Sequence, residues 1–248
     1  AVPRRRSVAG MELWDVFKRR KMVRSFRQDA VPADSLDRVL ASVLHAPSAG
    51  YTQGNEYLLI DDPDEVAWFW GAIDDPSDAM GPDDAALLAP VVVVPLAHKD
   101  AYLARYSQPD KQPYGLGDEE KWPVPFWYVD AGMASMCMLM AAIEEGLGAW
   151  FFGFAHGEAE VMEHFGVPPQ FRQAGAIALG YAADADPLSA GASSRKRARR
   201  GVDDLVHRFK VERAEQLRGV PWMAPGMLSL HHLGAFKLAA LLAAENGA

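Results

Sequence analysis

The sequence predicts an α+β fold, a small and mostly antiparallel sheet surrounded by helices with one buried central helix. Three observations carry this. Helical and strand-like periods alternate irregularly, with only four or so strands, which fits α+β better than a doubly wound sheet. The segment from Val129 to Glu145 is apolar on nearly every face, the mark of a helix enclosed by the core. A chain of 248 residues, 50% of them hydrophobic, is enough for one sizeable core.

Residues 1–10 show no periodicity and read as a mobile arm, with Met11 as an alternative start. A first helix is expected from Glu12 to about Lys21, with Leu13, Trp14 and Phe17 facing inward. Asp34 N-caps a second helix, whose Leu36, Val39, Leu40, Val43 and Leu44 recur on one face until Pro47 breaks it. Tyr57 to Ile60 reads as a strand, followed by a short helix holding Val66, Trp68, Phe69 and Trp70. Val91 to Val94, bounded by Pro90 and Pro95, is a strand of β-branched residues. Residues 107–127 form a long loop, a length usually kept for a lid or binding loop. After the central helix come a strand at Ala149–Phe154, a helix at Glu158–Phe165 and a last strand at Ala176–Tyr181. A Leu-rich amphipathic helix follows Pro225. The expected organisation is an arm at 1–10, one domain at 11–207 and a C-terminal extension at 208–248.

A net charge of −8 argues against nucleic-acid binding. No run approaches the ~18–20 consecutive apolar residues of a membrane span. One cysteine, Cys137, excludes an intramolecular disulfide and a Cys-based zinc site, and with no leader pattern the expected setting is cytoplasmic. The cations are unevenly spread. Lys18, Arg19, Arg20, Lys21, Arg24 and Arg27 form one run, and Arg195, Lys196, Arg197, Arg199 and Arg200 another. Either these are two solvated faces, or an acidic protein has gathered its cations around a small anion.

The sequence has no Gly-x-Ser-x-Gly elbow, no Gly-x-Gly-x-x-Gly after a strand, no P-loop and no His-Glu-x-x-His. The histidines lack partners at metal-ligand spacing, so no metal site is expected. No catalytic side chain stands out, and a bound cofactor is expected to carry any redox chemistry.

Four segments read together change the picture. They are Arg20-Lys21-Met22-Val23-Arg24-Ser25-Phe26, the stretch His45 to Gln53, the stretch Glu145 to Phe154, and Leu179-Gly180-Tyr181 followed by Arg197 to Val206. In that order and spacing the chain resembles the FMN-dependent nitroreductase family, from about Met11 to His207. The resemblance implies a homodimeric α+β fold with FMN at the subunit interface.

By this resemblance Arg20 holds the FMN phosphate, with Lys21 and Met22 beside it, and Arg24 lies near the ribityl chain and the N1–C2 edge. A guanidinium suits both tasks, as a bidentate phosphate fork and as a cation near N1. Met22 stands where the family has Ser, and costs a side-chain hydrogen bond. Pro47, Ser48, Ala49 and Gln53 fall on the motif that reaches the flavin from the partner subunit. Tyr51 replaces the family's Asn there, and either reshapes the substrate side or fills space. Phe151, Phe152 and Gly153 fall where the backbone packs on the flavin ring, and Gly suits a close approach. Arg197 and Arg199 complete the phosphate grip, so the two cation runs meet at one phosphate. Tyr114 and Trp122 are expected in a lid over the ring, Trp127 and Tyr128 in the core.

The implied activity is hydride transfer from NADH or NADPH through flavin N5 to an electron-poor small molecule, a nitroaromatic or quinone, in a ping-pong cycle. The alternatives are other redox chemistry on the same fold (flavin fragmentation, dehalogenation, dehydrogenation of a peptide-derived substrate) or flavin binding without turnover. The C-terminal helix is expected to wrap the partner subunit.

Overall fold

The computed structural model describes residues 11–74, 88–185 and 196–207. The N-terminal arm, the C-terminal helix after Pro225 and Arg195 lie outside the described residues. The chain divides into two units, residues 1–192 and 193–248.

In the first unit the elements run α1 (Leu13–Arg19), α2 (Ala33–Ala41), β1 (Asn55–Ile60), α3 (Pro63–Ile73), β2 (Val91–Ala97), α4 (Lys99–Tyr106), α5 (Phe126–Glu144), β3 (Gly148–Phe152), α6 (Glu158–His164), β4 (Arg172–Gln173) and β5 (Ala176–Gly180). The five strands form one antiparallel sheet in the order β1-β2-β5-β3, with β4 paired to β2. This is the expected α+β architecture.

Alternation along the strands sorts the core into two layers. Val92, Val94, Leu96, Ala176 and Ala178 point to one side and pack with Val66, Phe69 and Trp70 of α3 and Val161 of α6. Val91, Val93, Ile177 and Leu179 point to the other and pack with Leu36 and Val39 of α2 and Met138, Leu139 and Ala142 of α5. A strand covered on both faces needs apolar residues at every position, which is why β2 reads Val-Val-Val-Val. It continues through Pro95 to Ala97 instead of stopping at the proline. Pro95 sits where the neighbour of β2 changes from β5 to β4, and its carbonyl accepts from Ala174 N–H at 2.8 Å. A residue without N–H fits such a break in the ladder.

Several expectations are corrected. Leu13, Trp14 and Phe17 do not face inward; all three are exposed, and Val16 alone anchors α1. Their stripe lies on the side of α1 turned from this chain's core. Asp34 is not the N-cap of α2, because Pro32 takes that position and Asp34 lies in the first turn. That placement still suits a carboxylate at the positive end of the helix dipole. Leu44 is exposed in a short 3₁₀ turn, Ser42–His45, where the helical spacing no longer holds. Strand β3 ends at Phe152 instead of Phe154. Helix α4 and strand β4 had no expected counterpart.

Helix α5 is buried on one side only. Ala131, Ala134, Met138 and Ala142 are buried, while Val129 and Met136 are exposed. Its length and composition would suffice to cross a membrane. Its packing against α2, β2 and β3 makes it a core helix of this domain.

On the other side of the sheet α3 and α6 meet closely. Asp62 caps α3 by accepting from the N–H groups of Asp64 and Glu65. Gly157, at φ +68°, opens α6 against the end of α3, where a Cβ would stand 2.0 Å from the Ala72 carbonyl oxygen. Only glycine fits there.

Candidate functional site

The cation-bearing segment after α1 is tied to the sheet through its backbone. Arg20 closes α1, its N–H donating to the Val16 carbonyl at 2.9 Å. The chain then runs beside β3, with Met22 paired in parallel to Ala149 and Val23 N–H donating to the Ala149 carbonyl at 3.0 Å. Phe26 bridges Ala182, and Arg27 N–H donates to the Tyr181 carbonyl at 2.9 Å. Val23, Ser25 and Phe26 are buried, which fixes the register. Arg20 is half-buried and Lys21 exposed. Arg24 is half-buried, its guanidinium 5.4 Å from the centre of the Trp150 ring, within cation–π range.

The first and third motifs are therefore brought together. Phe151 N–H donates to the Met22 sulfur at 3.5 Å, so the methionine at the family's Ser position engages the strand directly. Phe151 packs with the α2–α5 layer. Phe152 packs between Trp150 and Trp70, at ring distances of 4.5 and 5.5 Å. Gly153 is exposed, and a Cβ built there would meet nothing within 4 Å. Cations on the segment beside β3 and open space at the end of β3 fit a planar group carrying a phosphate.

The second motif is held differently. Gly50, Tyr51 and Gln53 all have left-handed backbones, at φ 61°, 54° and 53°. For the two non-glycine residues that costs ~1–2 kcal/mol each. The cost is met by side chains from α4 and α5. Asp130, in the first turns of α5, is 2% exposed; its Oδ2 accepts from Ala49 N–H and from the Tyr102 hydroxyl, both at 2.8 Å. Ser48 Oγ accepts from Gln53 N–H at 2.9 Å and lies beside the Tyr102 hydroxyl, whose pKa it pulls down. Burial, followed by the bond to Asp130, raises the Tyr102 pKa, so its hydroxyl stays a donor. Arg105 Nε donates to the Gly50 carbonyl at 3.0 Å, and Asp110 holds the guanidinium by two bonds of 2.8 Å. Pro47, Tyr51 and Gln53 are exposed, and Ser48 and Ala49 half-buried. Much of the Ser48 hydroxyl's bonding capacity is thus used inside the loop.

Trp122 is packed within this chain. It packs edge-on against Tyr102 and Tyr106 at 6.2 and 4.8 Å, and its Nε1–H donates to the Leu116 carbonyl at 2.6 Å. An indole with one donor is satisfied by such a half-buried wedge. Tyr114 is 66% exposed, with Lys111 Nζ 5.5 Å from its ring. Trp127 is buried as expected, but Tyr128 is 41% exposed because it falls on the outer side of α5. In the second unit Arg197 and Arg199 are exposed, before a 3₁₀ turn at Val202–Asp204.

Asp130, Tyr102 and Arg105 were not expected at the site. Asp130 had one readable signal, as the lone charge between Phe126 and Ile143, where an unpaired carboxylate would be costly. Among the described residues no cluster of His, Cys, Asp and Glu could hold a metal. A cavity of about 670 Å³ lies elsewhere, between α2 and α3, lined by Leu36, Val66 and Trp70 and by none of the expected site residues.

The nitroreductase family model matches residues 17–181, well over half of the chain. A phage portal protein model of the lambda family matches residues 176–248, a minority of the chain and mostly outside the described residues. Among solved structures, NfrA2 of B. megaterium aligns with a TM-score of 0.61 at 20% identity, over 82% of this chain and 76% of that one. A nitroreductase family protein of Clostridium novyi NT aligns at 0.55 and 21% identity, over 70% and 87%. An FMN-dependent nitroreductase of Clostridium difficile R20291 aligns at 0.52 and 19% identity, over 68% and 87%. The chain belongs to the nitroreductase family, a family of flavin-dependent oxidoreductases.

Proposed function

We propose that the protein binds FMN and catalyses electron transfer from NADH or NADPH to an electron-poor small molecule such as a nitroaromatic or quinone. The observation that carries this is the docking of the Arg20–Arg24 cations along β3, ending at the open Gly153. When bound, the flavin supplies hydride acceptance and donation at N5, in a ping-pong cycle with one pocket for both substrates. Arg20 would hold the phosphate, with Lys21 adding charge. Arg24, held over the Trp150 ring, would place its cation near the N1–C2 edge of a bound flavin. Ser48 and Gln53 contribute from a second copy of the chain. The exposed apolar stripes of α1 and α5 support a homodimer, because these two helices pack together and present Leu13, Trp14, Phe17, Val129 and Met136 on the outside.

Titrating apoprotein with FMN, following flavin fluorescence, tests this. Binding is expected, with Arg20→Ala weakening it about tenfold to a hundredfold, as loss of a charge-assisted bond requires. Bleaching by NADH or NADPH and recovery on adding a quinone are expected in turn. A chain that takes up no flavin overturns the reading; one that binds FMN but ignores both nucleotides favours binding without turnover.

A further inference from the structure

Asp130 is a costly residue to keep. It sits in an apolar helix at 2% exposure, and its Oδ1 has no hydrogen-bond partner among the described residues. A buried carboxylate satisfied on one oxygen only stabilises a fold less than an apolar residue of the same size would. What Asp130 achieves is on its other oxygen. Oδ2 collects Ala49 N–H and the Tyr102 hydroxyl at 2.8 Å each, and Tyr102 stands beside Ser48, whose Oγ takes Gln53 N–H. The core helix therefore holds Ala49 directly and Tyr102 against Ser48, and Ser48 in turn holds the far end of the strained loop at Gln53. The glycines in and beside the loop allow the approach, since a Cβ at Gly50 or Gly54 would come within 2.7 Å of the Tyr106 or Tyr102 ring.

We propose that Asp130 is a positioning residue, which with Tyr102 holds the Ser48–Gln53 loop in the shape in which it meets the flavin. This rests on the FMN-binding reading above. Asp130 touches neither cofactor nor substrate; it acts through Ala49 and Tyr102. The negative charge is not itself required, because one amide oxygen in its place can accept both bonds. The loop's backbone, freed of those bonds, relaxes from three left-handed residues toward conformations that ordinary side chains prefer.

The test compares Asp130→Leu, Asp130→Asn and Tyr102→Phe by two measurements, FMN affinity and amide hydrogen exchange across residues 46–57. In Asp130→Leu the dissociation constant for FMN is expected to rise at least tenfold and exchange at 49–53 to accelerate, while α5 remains protected. Asp130→Asn is expected within threefold of the parent on affinity, with exchange unchanged. Tyr102→Phe is expected in between, at threefold to tenfold. A double variant of Tyr102→Phe with Gln53→Ala should show less than the sum of the two losses, whereas Tyr102→Phe with Arg20→Ala should be additive. Parental affinity in a folded Asp130→Leu protein overturns the proposal, and so does equal damage from Leu and Asn. If Asp130→Leu does not fold, Tyr102→Phe decides alone, and parental affinity with parental exchange in it overturns the proposal. Failure of the parent to bind FMN is a different outcome, which overturns the cofactor reading first; the exchange data then still report on the clamp.

Discussion

Between Arg20 and Phe26 the chain is fastened by its backbone, through Val23 N–H to Ala149 and Arg27 N–H to Tyr181. Between Pro47 and Gln53 it is fastened by side chains from elsewhere, chiefly Asp130, Tyr102 and Arg105. In the first region backbone pairing leaves the cations Arg20, Lys21 and Arg24 to project from a rigid edge. In the second, the loop has left-handed backbone at three positions and relies on its surroundings to keep it. The difference teaches where each region should fail. The first should fail with the fold, the second without it.

The largest effect is expected where the first region enters the core. Phe26 is 1% exposed and packs with Val23 and the α3–α6 layer. Phe26→Ala should cost about 3–5 kcal/mol, the usual loss for a buried ring. Urea unfolding would show it, and flavin binding should fall with stability. A small loss here would mean the segment's backbone bonds suffice without the anchor.

A smaller and more local effect is expected in the loop. Gly50→Ala places a Cβ 2.7 Å from the Tyr106 ring on a backbone at φ +61°. The expected cost is about 1–2 kcal/mol. FMN affinity should drop further than that loss of stability alone would give. Equal losses of both would erase the contrast between the two regions.

The smallest change has the opposite sign. Tyr51 is 77% exposed and sits at φ 54°. Asparagine tolerates that backbone better than tyrosine does, so Tyr51→Asn should stabilise by about 0.5 kcal/mol. Thermal unfolding would register it. If stability fell instead, the exposed ring would be making contacts that its exposure does not reveal.

The same contrast explains what could be read from the sequence. The Val91–Val94 strand, the α3 helix and the apolar α5 carry their periods on the surface of the sequence, and all three formed. The first and third motifs were recognisable as segments, but the pairing of Met22 with Ala149 that joins them is a long-range contact that spacing does not show. Helix α4 was missed because Tyr102, its one buried residue, is too little to mark a period over eight residues. The exposure of Leu13, Trp14 and Phe17 was misread because an apolar stripe says only that something covers it, not that this chain does. The packing of Trp122 left no sign in the sequence for a related reason. Its neighbours in sequence are polar, yet its ring contacts come from Tyr102 and Tyr106 of α4 and from Phe126 and Trp127 of α5. Networks joining residues 49, 102 and 130 leave no trace in spacing.

Gly153 and Gly157 mark two ends of one short segment, and they set the limits for anyone wishing to redesign this enzyme. The open space at Gly153 is what the proposed flavin needs, but at the exposed Ala155 and His156 larger side chains have room, so a library varied at those two positions carries little risk to folding. At Gly157 the Ala72 carbonyl stands where a Cβ would go, and no neighbouring side chain can yield to make room. Diversification should therefore stop one residue short of α6, and a library that includes position 157 will spend that share of its members on chains that push α3 away from the sheet.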